Sequence, residues 1–402
     1  MRGPVRHKCC LALTMMLAMA ATYCLGQAAG APHQQRQAAL ALEQQGKNVE
    51  AEAAWRVFLK AHPTNPEPYA HLGLLEARQE HYKEAVPLYR KALALNPAFP
   101  GLRLNLGLAL FKSGELKRAI VEFKPLLKGQ PPASPEAQRL IILLGMAHYG
   151  LGEYAAAAPY LKQAAAQDQQ NLPLRLDLAH SCLWSKQYQC VLDTYHEILS
   201  LNAESAEADM LAGEALDEQK NHAGAIEQFR AAVKANPSEP NVHFGLGYLL
   251  WTHEQYPEAA TEFQAELANN PNQVQALTYL GDIHVHLNHP EAARPLLEKA
   301  LRIDAGQELA HLDLGVLFAD DGRRDDALRE LSVAAKLAPQ DVNVHWRLGR
   351  LYRAMGRASE AKAEFDKASS ITKAADTALV DKISNGHAKA TPAAAPGAPD
   401  AK

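Results

Sequence analysis

The densest group of metal-ligating side chains is the stretch HVHLNH, which holds His284, His286 and His289, with Asp282 just ahead of it. Two imidazoles and a carboxylate can hold Zn²⁺. On a helix, however, side chains at i and i+2 diverge, so His284 and His286 do not converge on one ion. Turn and interhelix packing account for the group better, and no metal site is expected. His243, His311 and His345 recur at one position of a longer pattern, on the side that core residues take. Stacking between helices is the simple account; a shared pH sensor is the alternative. Cys182 and Cys190 sit near facing positions of two adjacent helices. They form either a disulfide or two buried thiols, and in both cases the role is structural. No G-x-S-x-G, H-E-x-x-H, C-x-x-C or phosphate loop occurs, and GLG at 245–247 lacks the later glycine of a dinucleotide fingerprint. Neither an enzyme nor a cofactor is expected. No basic stripe or Lys/Arg block is present, which argues against nucleic acid.

The elements that carry these residues repeat. Ala39, Gly73 and Gly107 are spaced by 34 residues, Gly145 follows after 38, and Ala179, Gly213, Gly247, Gly281, Gly315 and Gly349 continue at 34. A second series lies 12 residues behind: Ala51, Ala85, Ala119, Ala157, Val191, Ala225, Ala259, Ala293, Ala327 and Ala361. A third, four further on, is Trp55, Tyr89, Phe123, Leu161, Tyr195, Phe229, Phe263, Leu297, Leu331 and Phe365. Pro63, Pro97, Pro131, Pro237, Pro271 and Pro339 close six units. Each unit reads as two helices joined by a tight turn, with turn glycines at Gly114, Gly152, Gly322 and Gly356. A helix-interior glycine costs about 1 kcal/mol against alanine. Close approach of the paired helices, with Gly107 facing Ala119 across the hairpin, is the expected compensation.

This pattern resembles the tetratricopeptide repeat, in the form found in exported bacterial repeat proteins. The resemblance covers about residues 32–375. It implies an all-α solenoid of about ten helix-turn-helix units, wound as a right-handed superhelix with the first helix of each pair on the concave wall. Units one to three span 32–128, a Pro-rich insertion spans 129–137, and units four to ten span 138–375. A short capping helix is expected at 376–384, with Leu379, Val380 and Ile383 on one side, followed by a disordered Ala/Pro-rich tail at 385–402.

A second stripe runs along the first helices, about 100° round from the core stripe. It carries Leu108 and Phe111, Met146 and Tyr149, His180 and Trp184, Phe244, Tyr248 and Trp251, then Trp346, Arg350 and Arg353. Glu214, Asp217, Glu218 and Asp282 make its middle acidic, and Arg347 joins the basic end. The resemblance turns this stripe toward the groove, where Trp, Tyr and Arg act as binding anchors; packing between hairpins is the plainer role for any one of them. Some family members clamp a C-terminal carboxylate with Lys, Asn and Arg. The matching positions Arg36, Leu40, Ala70, His71 and Leu74 do not reproduce that set.

Residues 1–28 differ from the rest. Arg2, Arg6 and Lys8 precede an apolar run at 9–22, and small residues follow at Gly26 and Ala28. That is the layout of a secretory signal peptide, with cleavage expected after Ala28. Its removal would take the formal net charge from −4 to about −7 and leave no apolar run of the ~20 residues needed to span a membrane. The expected protein is an exported, non-enzymatic scaffold in the periplasm or outside the cell, binding an extended or helical segment of a protein partner. A scaffold in polysaccharide secretion, with aromatics stacked on sugars, is the alternative.

Overall fold

The computed structural model describes residues 32–201 and 204–388. The expected leader and the tail from 389 onward lie outside the described residues. All regular structure among the described residues is helical. It divides into two compact units, Met1–Ala203 and Glu204–Lys402. The division falls between the fifth and sixth hairpins, not at the Pro-rich insertion.

In the first unit the hairpins are α1 (32–44) with α2 (Asn48–Ala61), α3 (Pro66–Arg78) with α4 (Tyr82–Leu95), and α5 (Leu102–Lys112) with α6 (Leu116–Lys128). α7 (Pro135–Gly150) with α8 (Tyr154–Gln167), and α9 (Leu172–Trp184) with α10 (Tyr188–Ser200), complete it. The second unit pairs α11 (Ala206–Glu218) with α12 (His222–Ala235), α13 (Val242–Thr252) with α14 (Tyr256–Asn269), and α15 (Val274–His286) with α16 (Pro290–Ile303). α17 (Glu308–Asp320) with α18 (Arg324–Leu337), and α19 (Val342–Ala354) with α20 (Ala358–Ala388), follow. α20 is one continuous helix, so the separate cap expected at 376–384 is its distal part, and the helix runs on into the segment expected to be irregular. Val380, expected to cover the core, is 60% exposed.

Helix starts follow local chemistry. Ser134, Asn171, Ser205 and Asp341 each accept a hydrogen bond from a backbone N–H in the first turn, and Pro occupies the first turn of α3, α7 and α9. Helix stops are equally regular. Every hairpin turn places one residue in the left-handed region: Gly114, Gly152, Gly322 and Gly356 as expected, Gly46 in the first hairpin, and Glu80, Lys186, Lys220, Glu254 and Asn288 in the others. The next N–H then bonds back to a carbonyl of the last helical turn, as from Glu115 to Leu110 at 2.8 Å and from Gln255 to Leu250 at 2.9 Å.

The interior glycines are notches for the third series rather than for the small residues. A Cβ on Gly73 would meet Tyr89, on Gly107 Phe123, on Gly213 Phe229, on Gly247 Phe263 and on Gly349 Phe365, all within 3.0 Å. On Gly281 and Gly315 it would meet Leu297 and Leu331. The facing alanines, Ala85, Ala119, Ala225, Ala259, Ala293, Ala327 and Ala361, are all buried. The sequence pairs each glycine with an alanine, whereas the side chain that fills the notch belongs to the third series.

Throughout the second unit the first helices of neighbouring hairpins touch directly, in α11–α13, α13–α15, α15–α17 and α17–α19, and in the first unit α3 touches α5. Second helices make no comparable approach among the described residues. The second unit therefore curves toward its first helices, which line its inner wall.

Candidate functional site

Phe244, Tyr248 and Trp251 follow one another at helical spacing along the inner face of α13. Tyr279 of α15 closes against all three, with ring centroids at 6.1, 5.5 and 4.7 Å. Phe244 also packs on the core ring of Phe263 at 5.9 Å. Phe244, Trp251 and Tyr279 are half-buried against the core, whereas Tyr248 is 39% exposed. The patch is thus a rooted wall with one ring offered to solvent. Tyr279 escaped the sequence reading because it lies two residues before the repeat glycine, off the second stripe.

Polar groups lock this wall. Trp251 Nε1 donates to Asp282 Oδ2 at 2.6 Å. Burial raises the Asp282 carboxyl, and the Trp251 hydrogen bond and nearby His286 oppose that rise. His286 Nε2 lies 3.4 Å from Asp282 Oδ1, and its ring stacks on Tyr256 at 5.1 Å. At the start of α13, which lacks a side-chain cap, buried Glu266 of α14 accepts from the Phe244 backbone N–H at 3.1 Å. Glu266, an acid where the other units carry alanine or a larger apolar residue, therefore has a defined partner.

A second aromatic group belongs to the first unit. Tyr149 of α7, Tyr154 of α8 and Trp184 of α9 cluster with centroids at 4.5–6.2 Å, and His180 lies 4.9 Å from Trp184. Trp184 is 49% exposed. Beside it a cavity of about 420 Å³ is lined by Gly152, Tyr154, Trp184 and Ser185. Met146 is half-buried. Leu108 and Phe111 are half-buried against the α5–α6 core, so they serve packing as much as surface.

On α19 the Trp346 ring is 47% exposed, with the Arg350 guanidinium 5.0 Å above it. Arg353 lies 5.7 Å over Phe365. Arg347 and Arg350 line a cavity of about 260 Å³ that also reaches Asp320. Of the acids expected in the middle, Asp217 pairs with His222 at 2.6 Å, and Asp282 is taken up by Trp251.

The other chemistry-bearing residues take structural places. Cys182 and Cys190 form a disulfide across α9 and α10, with Cα atoms 5.8 Å apart. His243, His311 and His345 each meet a glutamate of the second helix, Glu262, Glu330 and Glu364, at 2.6–2.7 Å. His311 and His345 also meet a backbone carbonyl through Nε2. These are clasps within one hairpin, and Arg103 with Glu122 makes the same one at 2.9 Å. The His284 and His289 rings lie 6.0 Å apart, and burial, then His289, lowers the His284 imidazole. Among the described residues, no three His, Cys, Asp or Glu side chains are placed to hold a metal ion. No helix among them is long and apolar enough to cross a membrane.

Two sequence profiles described as tetratricopeptide repeat match the chain, one at residues 36–98, 192–240 and 244–308, the other at 76–141, 148–214 and 318–379. Similar proteins include the anaphase-promoting complex subunit 3 of Schizosaccharomyces pombe, 26% identical over 39% of this chain and 24% of that one. The BBSome complex member BBS4 of Bos taurus is 24% identical over 65% of this chain and 48% of that one. The chain thus spans less than half the length of these relatives. Among solved structures, YrrB, described as a TPR protein with an unusual peptide-binding site, is 22% identical over 47% of this chain and 97% of its own, with a TM-score of 0.38. With the two profiles together covering most of its length, the chain belongs to the tetratricopeptide repeat family.

Proposed function

We propose that this protein is a non-enzymatic scaffold of the cell envelope that holds an extended or helical segment of a protein partner on its inner wall. The observation that carries the reading is the wall of Phe244, Tyr248, Trp251 and Tyr279, braced by Asp282 and offering Tyr248 to solvent. An exposed aromatic on a rigid apolar footing has the character of an interface anchor. Two relatives carry names of complex members, a subunit and a BBSome component, which agrees with a role in assembly. Export rests on the leader-like residues 1–28. The test is capture: the purified protein, immobilised by its C-terminal end, is exposed to envelope extract of the source cell beside a Tyr248→Ser variant. A protein retained by the first and lost from the second supports the reading. Equal retention by both moves the binding surface elsewhere.

A second reading has its own observation. The Tyr154–Trp184 pair and its cavity present ring faces of the kind on which sugars stack. A glycan ligand in that place would make the protein a scaffold in polysaccharide secretion. Retention on immobilised envelope polysaccharide, abolished by Trp184→Ala and unaffected by Tyr248→Ser, would favour it.

A further inference from the structure

One carboxyl group of the second unit is buried with an oxygen left unpartnered. Asp313 of α17 is 5% exposed, and its Oδ2 accepts no hydrogen bond. It occupies the repeat position of Tyr279, whose ring leans back onto the stripe of the preceding first helix. Asp313 holds the equivalent place on α17, next to α15, where Asp282 is the acid that acts on it. Glu308, on the same helix, has a buried Oε1 that is also unpartnered, and its other contact is a further acid, Asp341. The cation acting on Asp313 is Arg347 of α19, which forms no hydrogen bond with it and whose own Nε is unpartnered. Across α15, α17 and α19 the charged groups facing this point are thus Asp282 with His286, Glu308, and Arg347 with Asp341. Acid predominates.

Leaving a buried acceptor unpaired costs free energy that a donor from outside the chain would recover. No trio of ligands is placed to hold a metal ion among the described residues, so the donor fits an organic cation better. The adjoining wall supplies the rest, because Trp251 hydrogen-bonds the same Asp282 whose charge acts on Asp313. Aromatic faces beside carboxylates favour cationic side chains with long apolar stems.

We propose that the inner wall between α15 and α17 receives a lysine or arginine side chain of the bound protein segment, with the cationic head donating to Asp313 and neighbouring apolar residues of the segment seated on Tyr248 and Trp251. This rests on the reading of that wall as a protein-binding surface, and it specifies the partner's chemistry: a basic residue at fixed spacing from an aromatic or aliphatic one. Burial and then the Asp282 charge raise the Asp313 carboxyl, and a cation seated beside it would oppose that rise.

The experiment is selection of a random 12-residue displayed peptide library on the purified wild-type protein, followed by titration of chosen peptides. Enriched peptides are expected to share a Lys or Arg. Replacing that residue by norleucine, which keeps the stem and removes the charge, is expected to weaken binding at least tenfold. Asp313→Asn, a neutral isostere whose thermal melt serves as the folding control, is expected to lose the same factor and to be indifferent to the norleucine exchange. Tyr248→Ser weakens charged and norleucine peptides alike. Enrichment without Lys or Arg, or a norleucine effect of equal size in wild type and Asp313→Asn, overturns the cation site and leaves the wall's binding role standing. Indifference to Tyr248→Ser, or no enrichment at all, overturns both.

Discussion

A Cβ placed on Gly107 would stand 2.5 Å from Cε1 of Phe123, so the ring of the second helix is seated in the space that the first helix leaves open. The same fit recurs from Gly73 with Tyr89 to Gly349 with Phe365. It makes the glycine and the ring one device, and their energies must be coupled. Gly107→Ala gains about 1 kcal/mol of helix propensity. It forces overpacking worth about 1–3 kcal/mol, for a net loss of up to about 2 kcal/mol. In a Phe123→Ala background the same change is neutral or stabilising. Urea unfolding of the four-member cycle measures this; a Gly107→Ala cost that is unchanged by removing the ring would refute the coupling.

The turns offer a gain in stability. Lys220 and Glu254 hold φ of 66° and 58°, where Gly stands in the hairpins of Gly114 and Gly322. A side-chain-bearing residue there costs roughly 1–2 kcal/mol. Both residues are exposed. Lys220→Gly and Glu254→Gly should each raise stability by about 1 kcal/mol, read as a higher urea midpoint at unchanged slope. A lower midpoint would mean that the side chains do something the turn geometry does not reveal.

The disulfide staples one hairpin. Closing so short a loop is worth about 2–3 kcal/mol in the chain-entropy description. Because repeat arrays open locally, the double variant Cys182→Ser/Cys190→Ser should lose that amount first in α9 and α10. Hydrogen exchange that is faster in those two helices and little changed in α3–α6 is the expected pattern. Uniform acceleration along the first unit would contradict it.

Asp313 gives the protein an acid-favoured contribution. Burial, then the charges of Asp282 and Glu308, hold its carboxyl well above the ordinary value, with Arg347 opposing. The folded state therefore binds this proton more tightly than the unfolded chain. The contribution is full below the unfolded value of about 3.9 and is lost as pH rises through the raised folded value. Asp313→Asn removes that slope. It should melt with the wild type near pH 4 and at or above it near pH 7. A variant that falls further below the wild type as pH rises would show the carboxylate to be paired and stabilising.

How much of this the sequence carried depends on the range of each contact. The Gly107, Ala119 and Phe123 series sit in one phase because each hairpin buries the same seam, and a seam repeated along the chain is visible as periodicity. Gly114 and Gly152 are legible as turns because their conformation favours glycine. Lys220 and Glu254 adopt it without an advertising residue type. The wall of Phe244, Tyr248 and Trp251 shows in the spacing within α13, but its fourth ring, Tyr279, comes from the next hairpin and from a different helical position. The His345–Glu364 clasp is of the same kind: histidines recurring at one position were evident, whereas the glutamate partner depends on how the two helices of a hairpin align. Unsatisfied groups such as Asp313 Oδ2 are defined only by what fails to surround them, and no local pattern announces that.

The binding claim concentrates on Tyr248. A photo-crosslinking amino acid placed at position 248, and as a control at Val121, which is 64% exposed on second helix α6, reports directly on which face a partner occupies in the source cell. The account predicts a discrete protein adduct from position 248 and none from position 121. Adducts from 121 alone, or identical adducts from both, would contradict it.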